Sequence, residues 1–355
     1  MSASAAASVG KKTALVVCPG RGTYNKAELG SITGSLDSDT IAAFIDQVDH
    51  VRAQLQRPTL TELDQAPLFK SSLHQHPDNA ATLIYGAGVA DFMAIARSQF
   101  EVVAITGNSM GWYTALACAG CWDVDTGTRL VTNMAELTAK GEGAQFIYPL
   151  TDAEWRPDAT RIAQVQEQLQ LHHGQLFMSI NYGGYAVLAG TSEACSAAMA
   201  ALPRVDERFP MLLHGHAGFH TRLMQHAALQ AQQNWPASLF RAPHIPLVDG
   251  RGHIWSRSVV DQQALQRYTL DHQVTQTYDF TQAVTTAVKE FAPDHIILLG
   301  PGSGLGGAVA QAMIASGWHD LASKSDFSAR QEQPLPYVLS MGMAEPRALV
   351  TGRKA

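Results

Sequence analysis

The 355-residue sequence is poor in charged residues, and this shortage excludes several classes of protein. Charged residues make up 16% of the chain, and 31 acidic side chains outnumber 25 basic ones. Without a basic surplus to neutralise phosphates, the composition argues against a nucleic-acid partner. No uninterrupted apolar stretch is long enough to cross a bilayer, so we expect no membrane partner. A hydrophobic content of 46% supports a sizeable core and excludes general disorder.

Cysteine is also scarce, and four residues are too few for a disulfide framework in a chain of this length. Cys118 and Cys121 form a C-x-x-C pattern at the end of a predicted helix. A redox pair normally has its reactive thiol at a helix N-terminus, so we expect buried packing residues instead. The opening MSASAAASVGKK lacks the order of a signal peptide, which predicts an unstructured start and a cytoplasmic location.

Short apolar runs alternate with helical stretches along most of the chain. Strands are predicted at residues 14–17, 102–105, 244–248 and 295–299, and most of them run into glycine-containing loops. Buried strands separated by helices are typical of an α/β fold with a mostly parallel sheet and helices on both faces.

The middle of the chain follows a different order. Its pattern predicts strands at residues 146–150, 175–180, 185–189 and near 210–213, with helices at 161–171 and 193–202. This β-α-β-β-α-β order is the ferredoxin-like arrangement. Pro149 cannot donate a ladder hydrogen bond, so it should either place its strand at an edge or end it. We predict a small ferredoxin-like domain at residues 139–213, inserted into a large α/β domain formed by residues 1–138 and 214–355.

The sequence G-N-S-M-G at residues 107–111 follows a predicted strand and precedes a predicted helix. A nucleophile elbow of the G-x-S-x-G type requires this context. The strained turn would expose the Ser109 hydroxyl, and the Met110 N–H at the helix N-terminus would face an acyl oxygen as it becomes negative. The alternative is an ordinary glycine-rich turn between strand and helix, because the chain contains 29 glycines.

A serine nucleophile needs a base, and residues 214–220 supply three candidates in His214, His216 and His220. Three histidines at this spacing also suggest a metal site. Because no acidic or cysteine ligand lies nearby in the sequence, we predict no metal.

Several motifs, in order along nearly the whole chain, resemble the malonyl-CoA:acyl-carrier-protein transacylase family. They are C-P-G-R-G at residues 18–22, the serine motif, residues 181–190, G-F-H-T-R-L-M at 218–224 and G-P-G at 300–302. The resemblance implies a hydrolase-like core with an inserted ferredoxin-like domain, in agreement with the pattern of strands and helices.

The resemblance implies that Ser109 is the nucleophile and His220 the general base of a ping-pong acyl transfer. The acyl group would pass from acyl-CoA to the phosphopantetheine thiol of an acyl carrier protein in fatty acid or polyketide biosynthesis. It further implies a monomer without a permanently bound cofactor. The family orients its histidine with a backbone carbonyl or a neutral side chain; here Asp249 and Asp279 lie in the relevant segments, and the sequence does not choose between them.

Departures from the family pattern bear on specificity. Arg21 stands where the family has a glutamine that helps to form the oxyanion hole, and Asn108 and Trp112 replace the usual histidine and glutamate. Met134 falls where the family has its malonyl-binding arginine. Methionine cannot pair with a free carboxylate, so we expect acyl groups without one, unless Arg21 supplies the lost charge from the opposite wall.

Besides Ser109 and His220, we expect the oxyanion and substrate site to contain Gly20, Arg21, Met110, Met134 and Asn181. Two further functions remain open at this stage. The same scaffold could hydrolyse acyl thioesters on carrier proteins, or it could bind carrier proteins without activity.

Overall fold

A computed structural model describes residues 10–35 and 38–353, so the predicted unstructured start lies mostly outside the described residues. The strands are β1 (Lys12–Cys18), β2 (Phe100–Gly107), β3 (Ala144–Pro149), β4 (Leu176–Tyr182), β5 (Tyr185–Gly190), β6 (Met211–Leu212), β7 (Leu247–Val248), β8 (Ile254–Trp255), β9 (Tyr278–Asp279), β10 (His295–Leu298) and β11 (Val338–Ser340).

The α-helices are α1 (Asp39–Gln54), α2 (Leu60–Asp64), α3 (Ser71–His74), α4 (Pro77–Ala94), α5 (Gly111–Cys118), α6 (Val124–Ala139), α7 (Ala159–Leu171), α8 (Ser192–Ala201), α9 (Gln225–Asn234), α10 (Gln262–Arg267), α11 (Gln273–Thr275), α12 (Phe280–Phe291), α13 (Gly306–Ala315), α14 (Lys324–Gln331) and α15 (Ala344–Thr351). A π-helical turn, Tyr268–His272, joins α10 to α11.

The first sheet has the strand order β11-β10-β1-β2-β7-β8 and is parallel except for the antiparallel pair β7–β8. Residues of the central strand β1 contribute alternately to two separate hydrophobic clusters, one on each face of the sheet. This alternation follows from the period of two residues in a strand. Helices therefore cover both faces, as the apolar runs predicted.

The second sheet has the strand order β6-β3-β5-β4-β9. The elements β3-α7-β4-β5-α8-β6 follow one another as the sequence predicted, and β9 adds a fifth strand from a later part of the chain. Pro149 ends β3, which pairs with β5 on one side and β6 on the other, so this strand is not an edge. The proposed limits of the inserted domain, residues 139–213, stay a prediction.

The strand predicted at residues 244–248 is wrong in length, because only Leu247–Val248 forms β7. Pro246 has no N–H for a ladder, although its carbonyl accepts a hydrogen bond from the Ile105 N–H at 2.9 Å. The His244 N–H donates instead to the carbonyl of Ala119 at 2.7 Å.

The cysteines at described positions are all free. Burial raises the pKa of Cys121 to about 12, so its thiol stays protonated at neutral pH. Among the described residues no three His, Cys, Asp or Glu side chains form a group that could hold a metal ion. No described helix combines the length and the apolar character needed to span a membrane.

A buried cation joins the three helices α1, α4 and α6. Arg52 is fully buried on α1, and its guanidinium lies 3.2 Å from the Asp78 carboxylate and 3.4 Å from the Thr132 hydroxyl. It also donates to the Asn79 side chain and to the Pro58 carbonyl. Because Thr132 belongs to α6, this network fixes the helix that carries the predicted specificity residue Met134.

We expect Arg52→Met to lower the free energy of unfolding by about 3 kcal/mol, because the variant leaves the Asp78 carboxylate buried without its main cation. The exposed pair Arg129–Asp125 provides the matched control, and Arg129→Met should cost less than about 1 kcal/mol. Urea denaturation of both variants measures the difference. Equal losses of unfolding free energy in the two variants would contradict the stabilising role assigned to the buried network.

Candidate active site

The serine motif forms a tight turn between β2 and α5. Ser109 has a φ of 53°, in the left-handed region that side chains other than glycine rarely adopt. A Cβ on Gly111 would lie 2.2 Å from the Cys18 carbonyl oxygen, and one on Gly107 would lie 2.3 Å from the Gly111 carbonyl oxygen. The two glycines therefore allow the approach of backbones that the turn requires.

Ser109 and His220 lie within hydrogen-bonding distance although 111 residues separate them in the chain. The Ser109 Oγ is 2.7 Å from Nε2 of His220, and Nδ1 of His220 is 2.6 Å from the carbonyl oxygen of Gln273. A carbonyl only accepts, so Nδ1 carries the proton of a neutral His220 and Nε2 is the acceptor. The arrangement suits removal of the Ser109 proton.

The Gln273 carbonyl is available because the helix ends at Thr275. Carbonyls in the last turn of a helix have no partner further along it, so this one can accept from a side chain. The same residue also holds the elbow, since its side-chain Nε2 donates to the Ser109 carbonyl at 3.0 Å. Gln273 thus contacts both members of the pair.

Burial lowers the pKa of His220 to about 4, and the hydrogen bond to Gln273 opposes this effect. The imidazole is therefore neutral near pH 7 and can accept a proton from the serine. Met110, directly after the serine, precedes α5, and its backbone N–H has no hydrogen-bond partner among the residues described. This N–H is available to donate to an oxygen of a ligand that carries negative charge.

A cavity with a mostly apolar lining opens beside the pair, and we call it the apolar cavity. Met134 and Arg21 both lie in its wall, and Met134 is only 2% exposed. The complete lining is Arg21, Ala81, Ser109, Met110, Tyr113, Val131, Met134, Ala135, Thr138, Phe219, His220, Met224, Gln273 and Val274. Among the described residues that line this cavity, only Arg21 and His220 have basic side chains.

A second cavity of about 230 Å³, here called the intersheet cavity, lies between the serine turn and the face of the second sheet. It shares Arg21, Ser109 and Phe219 with the apolar cavity. Its other lining residues are Gly22, Asn108, Gln145, Ile147, Ile180, Tyr182, Val187, Leu213 and His216. Ser109 therefore lies where the two cavities meet.

Arg21 also lies at this junction. Its guanidinium carbon is 5.1 Å from the centre of the Phe219 ring, a cation–π distance. Burial lowers the pKa of Arg21 to about 10, so it remains charged at neutral pH. No acidic side chain in the described part of the chain forms an ion pair with it, which leaves the charge available to a ligand.

Four of the five predicted accessory residues lie close to the pair. Arg21, Met110 and Met134 line the apolar cavity, and Gly20 packs behind the turn, where a Cβ would lie 2.8 Å from the Asn108 carbonyl oxygen. Asn181 lines neither cavity, because its side chain donates to Asp279 at 2.8 Å.

Neither aspartate considered from the sequence contacts the histidine. Asp279 accepts from Asn181 and from the Gln282 N–H at the start of α12. Asp249 is fully buried and binds Arg251 and the Trp255 indole. The orienting group is the main-chain carbonyl of Gln273. A backbone carbonyl is one of the two kinds of group that the family resemblance implied, but the sequence did not identify the residue, because a carbonyl leaves no residue-type signal.

No protein-family model matches the chain. The malonyl CoA-acyl carrier protein transacylase of Escherichia coli is 29% identical over 210 residues, 57% of this chain and 63% of that relative. The alignment thus covers less than two thirds of that relative's length. The polyketide biosynthesis malonyl CoA-acyl carrier protein transacylase PksC of Bacillus subtilis is 22% identical over 300 residues, 82% of this chain and 94% of the relative.

The fold is also found in solved structures. The malonyl-CoA:ACP transacylase of Synechocystis superimposes with a TM-score of 0.73 at 19% identity, over 94% of this chain and 98% of that one. The predicted fold class is therefore confirmed, and so is the resemblance that the spaced motifs indicated.

We expect the reactivity of Ser109 to be nearly flat between about pH 5.5 and 7.5, because His220 with a pKa of about 4 is already neutral throughout this range. A histidine with an ordinary pKa of about 6.5 would give about a tenfold rise over the same interval. The rate of Ser109 labelling by a fluorophosphonate probe measures the profile. A tenfold rise would contradict the effect assigned to burial.

Proposed function

We propose that this chain, a divergent member of the malonyl-CoA:acyl-carrier-protein transacylase family, is a serine acyltransferase. It moves an acyl group from acyl-CoA to the phosphopantetheine thiol of an acyl carrier protein. The observation that carries the proposal is the hydrogen-bonded series from Ser109 through His220 to the Gln273 carbonyl, located where two cavities meet. The names of the two sequence relatives support the same donor and acceptor.

In the first half-reaction, Nε2 of His220 takes the hydroxyl proton while Ser109 Oγ attacks the thioester carbonyl carbon. The Met110 N–H stabilises the oxyanion of the tetrahedral intermediate. The C–S bond then breaks, and the protonated His220 returns its proton to the departing thiolate. The products are an acyl-serine ester and the free thiol of CoA.

In the second half-reaction, the phosphopantetheine thiol of the carrier protein gives its proton to His220 and attacks the ester carbonyl. The bond to Ser109 Oγ breaks, and the serine recovers its proton from the imidazolium. The acyl group leaves as a thioester of the carrier protein. The proposed mechanism assigns both halves to these side chains and includes no step on a permanently bound cofactor.

Met134 supports an altered acyl specificity. It lies in the wall of the apolar cavity, where a free carboxylate would need a cation and hydrogen-bond donors. Most of that wall is aliphatic or aromatic, which suits an acyl chain without a terminal charge. We therefore propose acetyl or longer unsubstituted acyl groups as the preferred cargo.

The proposed acyltransferase activity is tested by measuring the mass of the intact protein after incubation with acyl-CoA, with and without a carrier protein. We expect an acyl adduct on the enzyme that disappears when the carrier protein is added, with acyl-carrier protein as the product. Ser109→Ala should abolish the adduct, because it removes the attacking oxygen. The exposed Ser196 on α8 provides the control, and Ser196→Ala should behave as the native chain.

Rapid release of free acid without any acyl-carrier product would contradict the transferase and indicate a thioester hydrolase. Unchanged acylation of Ser109→Ala would contradict the serine mechanism itself.

A panel of acyl-CoA donors tests the specificity. We expect unsubstituted acyl groups to load Ser109 faster than malonyl, and Met134→Arg to raise the relative rate for malonyl about tenfold or more by supplying charge-assisted hydrogen bonds. Met134→Leu keeps the wall apolar and should retain the native preference. A preference of the native chain for malonyl would overturn the proposed specificity and assign binding of the malonyl carboxylate to Arg21. In that case Arg21→Gln should remove the preference for malonyl.

A further inference from the structure

The intersheet cavity offers a hydrogen-bond acceptor that the proposed chemistry at Ser109 does not use. His216 lies in its wall, partly exposed, four residues before the proposed general base. Nδ1 of His216 is 2.7 Å from the side-chain oxygen Oε1 of Gln145. Nε2 has no hydrogen-bond partner among the residues described.

The protonation of His216 follows from the groups behind it. The Ser179 hydroxyl must donate to the Phe219 carbonyl, 2.8 Å away, because that carbonyl can only accept. Ser179 Oγ therefore accepts from the Gln145 amide nitrogen at 2.7 Å, which directs Gln145 Oε1 toward His216. Oε1 also only accepts, so Nδ1 of His216 carries the proton.

Neutral imidazole has one N–H, and here Nδ1 holds it. Burial, together with the charge of Arg21 and the proximity of His220, lowers the pKa of His216 to about 3, so a second proton is disfavoured at neutral pH. Gln145 and Ser179 are buried and hold the ring in one orientation. Nε2 is thus a fixed acceptor without a partner.

The position of Ser109 between two cavities indicates which part of a substrate Nε2 of His216 would contact. A thioester bound with its carbonyl at Ser109 has an acyl half and a thiol half that diverge from that point. The acyl half suits the apolar cavity. The thiol half of acyl-CoA and of acyl-carrier protein is a pantetheine arm, which carries two amide N–H groups and needs acceptors when it leaves water.

We propose that His216 binds the pantetheine arm by accepting, at Nε2, a hydrogen bond from one of its amide N–H groups. The proposal rests on the acyltransferase function proposed above. It assigns to His216 a role in recognising the arm that both substrates share, while the apolar cavity selects the acyl group.

The test compares two donors of one acyl group, the CoA thioester and the p-nitrophenyl ester, because the ester has no pantetheine arm. The acyl group is the one that loads Ser109 best in the donor panel. We expect His216→Phe to lower the second-order rate constant of acylation about fivefold to tenfold more for the thioester than for the ester, chiefly through KM. His216→Gln retains an acceptor of similar reach and should restore most of the loss.

His214 is exposed on the same segment, and His214→Gln should leave both rates unchanged. Equal losses with the two donors, or no loss with the thioester, would overturn the role of His216 while the acyltransferase stands. If the native chain reacts with the ester but is not loaded by any CoA thioester, the proposed function fails, and this inference fails with it.

Discussion

The contact between the end of β1 and the start of α5 is the constraint on which the site depends. Cys18 ends the central strand β1, which is buried from Ala14 onward, and the Cys18 carbonyl leaves no room for a side chain on Gly111. This contact fixes the first turn of α5 against the sheet. Ser109 is thereby kept in a left-handed conformation that an isolated turn would leave, at a cost of order 1–3 kcal/mol that the packed core offsets.

Elements far apart in the chain converge on this turn. His220 comes from the segment after β6, and Gln273 from the short helix after the π-helical turn. Gln273 contacts both partners, with its carbonyl toward His220 and its amide toward the Ser109 carbonyl. Phe219 extends the same set of contacts, because its carbonyl accepts from Ser179 and its ring lies beneath Arg21. The geometry of the site therefore depends on several segments of the chain.

The predictable parts of the molecule are those that a local pattern specifies. The order of the six elements from β3 to β6, four strands and two helices, follows from hydrophobic spacing. The turn at Ser109 follows from a strand, two glycines and a helix. Strands of two residues, such as β8 and β9, are too short to produce a period. They form because neighbouring strands offer free ladder groups, which is a tertiary effect.

The candidate site likewise combines residues that a local pattern indicates with contacts that only the tertiary structure creates. Motif spacing predicts Ser109, His220 and Met134 because their chemistry lies in their side chains, and all three line the apolar cavity. The hydrogen-bonded series from His216 through Gln145 to Ser179 joins residues from three separate segments and leaves no pattern in the sequence. Its arrangement depends on the antiparallel pairing that brings β3, β5 and β4 side by side.

The choice of a main-chain carbonyl to orient His220 has an evolutionary consequence. A carboxylate in that position could be lost by one nucleotide change, and the reactive pair would be lost with it. The carbonyl of residue 273 belongs to every amino acid, so point mutation cannot delete it. A substitution of Gln273 would therefore remove the amide that donates to the Ser109 carbonyl, but it would keep the acceptor for His220 as long as the helix ends where it does.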